Sequence, residues 1–160
     1  NVIPANATVN LTNITLDLGK LELALVGNNV RMLRPGYLLS PRVEIYLRYL
    51  RDGNGNYAFP EMERGVLRGY PYKRTTQIPS NLGGGTNESE VYFVDFADVV
   101  IGEQRQIILD ASSEAAYFDG ANVQAAFSRD ESVVRGLMLH DLVVRHEYSV
   151  AVLTQVTWGA

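Results

Sequence analysis

The hydrophobic and polar positions between residues 36 and 50 predict a short strand followed by a helix. Tyr37 to Leu39 form an apolar run that has the length of a buried strand. Ser40 is a favourable N-cap, and Pro41 stands at the first helical position, where a missing N–H group costs nothing. Helical spacing then gives the helix one buried stripe, made of Val43, Tyr46, Leu47 and Leu50.

The residues after this helix predict a turn and short strands. Asp52 to Asn56 tolerate positive φ angles, so we expect the helix to stop there and a short strand to follow at residues 57–59. Residues 60–68 are charged and fit either a short helix or an exposed loop. Further strands are predicted at residues 70–76 and 91–95.

The N-terminal part of the chain predicts a loose lead-in and one core helix. Residues 1–10 are small and polar and have no periodicity, which indicates a poorly ordered segment. The apolar pattern predicts a helix over residues 16–26, started by Asn13 or Thr15. Three leucines make its buried face: Leu18, Leu21 and Leu25.

The C-terminal part is patterned mainly for extended chain. We expect a helical turn at residues 96–101, a strand at 106–109 and helical structure at 112–119. Residues 137–157 alternate between apolar and polar positions, which predicts a half-buried sheet with a break near residues 147–149. Its buried face is predicted to contain Met138, Leu142, Val144, Tyr148, Val150, Val152 and Val156.

Several short motifs follow one another in order along the chain. They are the Ser40-Pro41 helix start, the turn at 52–56, Tyr57-x-Phe59, Leu67-x-Gly69-x-Pro71 and Ser128-Arg129-Asp130-Glu131. This series resembles the axial domain of tailed-phage major capsid proteins with the Hong Kong 97-type fold. The resemblance covers residues 11–157, and its weight lies in the order of the motifs because none of them is diagnostic alone.

The resemblance implies an α+β fold in which helices flank the mixed sheet of an axial domain, with long C-terminal strands from the peripheral domain. It places the axial core at residues 11–110. Residues 111–160 would form a C-terminal segment with partial peripheral strands that return toward the axial domain. The chain would then be the C-terminal portion of a capsid protein, and other peripheral strands would lie outside it.

The function implied by the resemblance is structural, without enzymatic activity. A major capsid protein of a phage or prophage assembles with copies of itself, as pentamers and hexamers, into an icosahedral shell. Such a shell encloses double-stranded DNA without sequence-specific contacts, is assembled in the bacterial cytoplasm and forms the capsid of the virion. An encapsulin-type protein compartment is the alternative within the same fold. A monomeric state of the present chain in isolation is also compatible with this reading.

Two loops are the candidate contacts between subunits, because the resemblance places loops of the axial domain at the ring centre. The first is the turn at 52–56, and the second is the glycine-rich loop at 79–89, whose composition predicts flexibility. The residues expected to contribute are Asp52, Asn54, Asn56, Asn81, Gly83, Gly84 and Gly85.

Composition limits the other functions that the chain could have. Its 160 residues, 46% hydrophobic and 20% charged, suit one soluble domain or one domain with part of another. A net charge of −4 argues against a broad basic surface for nucleic acid. The sequence has no cysteine, which excludes disulfides and thiolate chemistry, and no apolar run approaches the ~20 residues of a membrane span.

Few residues suggest catalysis or metal binding. Residues 52–63 share the oxygen-ligand spacing of an EF-hand, but Tyr57 stands where that loop requires glycine. On extended chain His140 and His146 would be roughly 20 Å apart, too far to share a metal. We therefore predict no catalytic residue, cofactor or metal ligand. A small carboxylate-dependent hydrolase remains a distant alternative, based on two acidic pairs, Glu88/Glu90 and Asp130/Glu131.

Overall fold

The computed structural model describes the backbone of residues 1–160 and every side chain except that of Arg105. The chain divides into two compact units. We call Asn1–Val99 with Val144–Ala160 the core unit, and Val100–Val143 the strand unit. These boundaries differ from residue 110/111, at which the sequence prediction divides the chain, and the assignment of axial and peripheral domains remains a prediction.

The described residues form two α-helices, ten strands and three short 3₁₀ helices. The α-helices are α1 (Leu11–Val26) and α2 (Pro41–Tyr49). The strands are β1 (Val2–Pro4), β2 (Pro35–Leu39), β3 (Val66–Leu67), β4 (Tyr70–Arg74), β5 (Ser89–Asp95), β6 (Val99–Ser112), β7 (Ala116–Phe118), β8 (Val123–Ala125), β9 (Val133–Val144) and β10 (Val150–Val156). The 3₁₀ helices are Pro60–Arg64, Phe127–Arg129 and Glu147–Ser149.

The core unit is built on one mixed sheet with the strand order β1-β10-β5-β2-β4-β3. β1 is parallel to β10 and β2 is parallel to β4, whereas the other neighbouring pairs are antiparallel. Tyr37 of β2 is in register with Tyr72 on one side and Phe93 on the other. The rings of Tyr37 and Phe93 lie 4.4 Å apart between centroids. The predicted mixed sheet is confirmed.

Both helices contribute their apolar stripes to a single hydrophobic core that they share with the sheet. Full burial of a leucine or isoleucine side chain contributes roughly 1.5–3 kcal/mol, so these stripes contribute substantially to the stability of the core unit. Trp158 follows the last strand and is 1% exposed. The fully buried helix residues are Ile14, Leu18, Leu21, Leu25, Val43 and Leu47.

The predicted start of α2 is confirmed, but that of α1 is wrong. Ser40 caps α2 by accepting a hydrogen bond from the Val43 N–H at 3.5 Å. The N-cap of α1 is Asn10, whose side-chain oxygen accepts from the Asn13 N–H at 2.8 Å, so this helix begins earlier than predicted. Exposed and half-buried polar residues in its first turn hide the apolar periodicity.

Residues 1–10 are not the loose lead-in that their composition suggests. Val2–Pro4 forms the edge strand β1, which extends the sheet beside β10. The Val152 N–H donates to the carbonyl of Asn1 at 2.8 Å, and the side chain of Asn6 donates to Asp17 at 2.6 Å. A strand this short shows no alternation, and its partner lies far away in sequence.

Three further local predictions are corrected. Instead of a strand at 57–59, only Tyr57 makes an isolated bridge to Arg51, because a 3₁₀ helix begins at the next proline. The helical turn predicted at 96–101 is shorter, since β6 already begins at Val99. The helical structure predicted at residues 112–119 is wrong, because this segment contains the strand β7, which pairs with β8.

The break predicted at residues 147–149 is confirmed, since a 3₁₀ helix separates β9 from β10 there. The predicted buried face is largely wrong. In β10 the buried residues are Ala151 and Leu153, and an irregularity between Leu153 and Val156 brings Val156 back to the buried side. The 3₁₀ helix and this irregularity change the alternation, which a continuous strand would have kept.

The strand unit consists of two two-stranded sheets, β6 with β9 and β7 with β8. Among its described residues, Ala126 is the only hydrophobic one that is buried. The predicted buried residues Met138 and Leu142 are exposed in β9, because no second layer of this unit covers them. The most exposed large apolar side chains of the unit are Leu109, Phe118, Val123, Phe127 and Val134.

No helix in the described part of the chain has the length and apolarity needed to cross a membrane.

Candidate functional site

The first candidate loop is a turn organised by the carboxylate of Asp52. Asp52 Oδ1 accepts hydrogen bonds from the backbone N–H groups of Asn54 and Asn56, both at 2.9 Å. Asp52 Oδ2 accepts from the side-chain amide of Asn56 at 3.2 Å. These hydrogen bonds lower the pKa of Asp52, and the bond from the Asn56 N–H has the largest effect. Asp52 and Asn56 therefore act inside the turn, and Asn54 is the predicted residue whose exposed side chain remains available for contacts.

Arg51, which precedes this turn, contacts two of the residues that follow Asp52. Its Nη1 donates to the carbonyl of Gly55 at 2.7 Å, and its guanidinium carbon lies 4.5 Å from the centre of the Tyr57 ring. Gly55 has a φ of +84°, a conformation that favours glycine. The sequence prediction missed Arg51, because in the sequence it is indistinguishable from any other arginine near the end of a helix.

The second candidate loop is a small hairpin rather than an irregular segment. Leu82 and Glu88 exchange two backbone hydrogen bonds, of 2.9 and 3.0 Å. Gly83 has a φ of +74°, and a Cβ atom there would lie 2.3 Å from the carboxylate of Glu88. Gly84 has open space around it. The exposed residues at this tip include all four that the sequence predicts: Asn81, Gly83, Gly84 and Gly85.

The base of the hairpin is joined to the start of α2. The Ser89 hydroxyl oxygen lies 3.0 Å from that of Ser40 and 2.9 Å from the carbonyl oxygen of Pro79. The first loop follows the other end of α2, whose nine residues make it about 13 Å long. The structure therefore does not bring the bases of the two loops together.

One member of each acidic pair accepts a hydrogen bond from a tyrosine hydroxyl. Glu90 accepts a hydrogen bond from the Tyr92 hydroxyl, and Glu131 accepts one from the Tyr117 hydroxyl at 2.7 Å. Burial, and then Glu90, raise the pKa of Tyr92 to about 12. Among the described residues, no group of three or more His, Asp or Glu side chains could hold a metal ion.

The sequence matches known capsid proteins. The model of the phage capsid family matches residues 2–155. A curated relative, the "Major capsid protein" of Klebsiella oxytoca phage phiKO2, is 44% identical over 153 residues. This match includes 95% of the present chain and 36% of the relative, so the chain spans about a third of the relative's length.

Solved structures share the fold at low sequence identity. A structure from Mycobacterium phage Ogopogo has a TM-score of 0.66 at 15% identity, over 96% of this chain and 53% of the other. The "Capsid of empty GTA particle computed with C5 symmetry" has a TM-score of 0.67 at 13% identity, over 96% and 49%. A virus-like particle from Pyrococcus furiosus has a TM-score of 0.55 at 13% identity, over 95% and 56%.

These likenesses confirm the α+β Hong Kong 97-like fold that the motif series implies. The family match extends through nearly all of the chain, including both candidate loops. The chain therefore belongs to the phage capsid family.

Proposed function

We propose that the chain is part of a phage or prophage major capsid protein, whose function is to build a shell from copies of itself. The observation that carries this proposal is the 44% identity to a protein named as a major capsid protein, over 95% of the present chain. The protein would act by burying surface between copies, without catalysis. Its location would be the virion capsid, after assembly in the bacterial cytoplasm.

The shell would be icosahedral, with rings of five and six copies, and would enclose double-stranded DNA. Support comes from the charge of the chain, which is −4 and therefore does not favour a strong, sequence-independent grip on phosphate. A ring of five or six copies needs one surface patch to meet a different patch on the next copy. By itself, the part of the protein described here is compatible with a monomer.

We assign the subunit contacts of the core unit to the two loops. Asn54, Asn81 and residues 83–85 of the hairpin tip are exposed, while the bases of both loops are held by hydrogen bonds. A loop that is already ordered loses less conformational entropy when it meets a partner. Because the loop bases lie at opposite ends of α2, the two loops would meet different parts of neighbouring copies.

The strand unit would form part of the peripheral domain, and the core unit most of the axial domain. Two-stranded sheets are marginally stable in water when no layer covers them. The exposed apolar residues of β6 and β9 support the idea that other parts of the full-length protein, or its neighbours, cover this sheet.

Electron microscopy of the full-length protein tests this function. We expect hollow icosahedral particles, and DNA inside those that are purified from infected or induced cells. Particles that contain only protein cargo would favour the encapsulin-type alternative over the capsid. A full-length protein that stays monomeric under every assembly condition would contradict both, and would return attention to the hydrolase alternative.

A further inference from the structure

Arg42, in the first turn of α2, contacts three separate segments of the core unit. Its Nη1 donates to the carbonyl of Ser80 at 3.1 Å. Its Nη2 donates to the carbonyl of Asn87 at 2.8 Å and to that of Val156 at 3.2 Å. Ser80 and Asn87 lie on the two sides of the glycine hairpin, and Val156 is the last residue of β10. One guanidinium thus joins both stems of the hairpin to the C-terminal segment.

Arginine is well suited to this arrangement. Its planar guanidinium presents five N–H donors in a fixed fork, whereas lysine presents a single ammonium centre on a flexible stem. Hydrogen bonds from a charged donor are also stronger than those between neutral groups. A lysine at position 42 would keep the charge, but its single ammonium would replace two nitrogens, of which one contacts Ser80 and the other Asn87 and Val156.

The C-terminal segment packs closely on the same part of α2. Gly159 has a φ of +74°, and a Cβ atom there would lie 3.1 Å from Tyr46 Cβ and 3.4 Å from Arg42 Cγ. The neighbouring Trp158 is almost fully buried. The position of Arg42 is therefore restricted by the packing of residues 156–160, and through Arg42 this packing restricts the hairpin.

We propose that Arg42 is a positioning residue for the glycine hairpin, and that it couples the hairpin to the C-terminal segment. The hairpin would otherwise be held at its base mainly by the Ser89 hydroxyl contacts and its own backbone pair. The coupling would present the hairpin to a neighbouring copy in one orientation. This role in subunit contacts rests on the proposed function.

Hydrogen exchange of the unassembled full-length protein tests the coupling, with Arg42→Gln and Arg42→Lys as variants. We expect amides of residues 79–89 and 156–160 to exchange at least about tenfold faster in Arg42→Gln, as opening of this region becomes easier. Arg42→Lys should give the same pattern with a smaller increase. Amides of the turn at 52–56 should not change. Arg64→Lys, at an exposed arginine away from the hairpin, is the matched control and should leave all three regions unchanged.

Unchanged exchange in residues 79–89, in either variant that folds, would overturn the proposal. Faster exchange in the hairpin without any change at residues 156–160 would overturn the coupling. The shell yield of the same variants is measured separately. If exchange rises as expected and the yield falls, both the positioning role and the contact role of the hairpin are supported. If exchange rises and shells form in normal yield, Arg42 positions the hairpin, but the proposed contact role of the hairpin fails.

Discussion

The core unit and the strand unit differ in what their apolar side chains contact. In the core unit, two helices and a six-stranded sheet bury leucines, aromatic rings and Trp158 in one cluster. In the strand unit similar apolar residues are exposed: Leu109 in β6 is 71% exposed, and Phe127 in a 3₁₀ helix is 81% exposed. The core unit thus contains a buried apolar cluster, which the described residues of the strand unit do not form.

This difference distinguishes a unit with its own hydrophobic core from a unit without one. A closed hydrophobic core gives a unit its own stability, whereas a two-stranded sheet needs a further layer. In an assembling protein, surface that is left uncovered within one chain is available for other parts of the protein or for neighbouring copies. The comparison therefore separates residues that stabilise the fold from residues that would stabilise the assembly.

The largest expected difference between the units concerns leucine truncation. Leu18→Ala should lower the free energy of unfolding of the core unit by about 2–5 kcal/mol, because it leaves a cavity in the core. Leu109→Ala in the strand unit should change it by less than about 0.5 kcal/mol, as expected for an exposed position. Denaturant unfolding followed by the fluorescence of Trp158, the single tryptophan, reports on the core unit. Equal effects of both substitutions would remove the distinction between the units.

A buried carboxylate provides the next largest effect. Asp95 accepts hydrogen bonds from the backbone N–H groups of Leu33 and Arg34 at 3.0 and 2.8 Å, and from that of Ala97. Asp95→Ala removes these charged acceptors and should cost about 2–3 kcal/mol of unfolding free energy. Asp141→Ala in the strand unit is the control and should have little effect, because Asp141 is exposed.

A smaller effect is expected at the tip of the glycine hairpin. Gly83→Ala places a side chain at a φ of +74°, which should cost about 1–2 kcal/mol in the same unfolding assay. Gly84→Ala is the matched control, since the space around that residue is open and its φ is not positive. If both substitutions were neutral, the hairpin would not have the backbone conformation described above.

The smallest expected effect is a pH dependence of the unfolding free energy that comes from the carboxylate of Asp98. A hydrogen bond from the Ser149 hydroxyl, and then the Arg31 guanidinium at 3.2 Å, lower the pKa of Asp98. Its contribution to stability is therefore complete above the ordinary carboxyl pKa of about 4, and is lost as the pH falls through the lower pKa of the folded state. Asp98→Asn should be less stable than the natural chain at pH 7, and this difference should shrink below about pH 4. A difference that stays constant down to pH 2 would argue against this assignment.

The sequence predicts the elements that depend on strong local signals. The Ser40-Pro41 start of α2, the leucine stripe of α1 and the break at residues 147–149 are all confirmed. Capping residues and helical periodicity act within a few residues, so they can be read without knowing the partners of the segment. The order of such signals also indicates the phage capsid family, which the match over residues 2–155 confirms.

The remaining features depend on distant partners. β1 exists because β10 offers it an edge, and the buried face of β10 depends on an irregularity next to Val156. Neither has a local signal. Of the candidate loop residues, the prediction included those at the exposed tips but missed Arg42 and Arg51, whose contacts at the bases form only in the folded chain. The contact role of both loops remains a proposal.

Hydrogen exchange in the strand unit tests the central distinction between the two units most directly. Amides of β9 would be compared between the isolated 160-residue chain and the shell formed by the full-length protein. We predict rapid exchange in the isolated chain, at the level of local opening, and strong protection in the shell, while the amides of β5 are protected in both. Equal protection of β9 in the two forms would contradict the account, because the strand unit would then be complete without any covering layer.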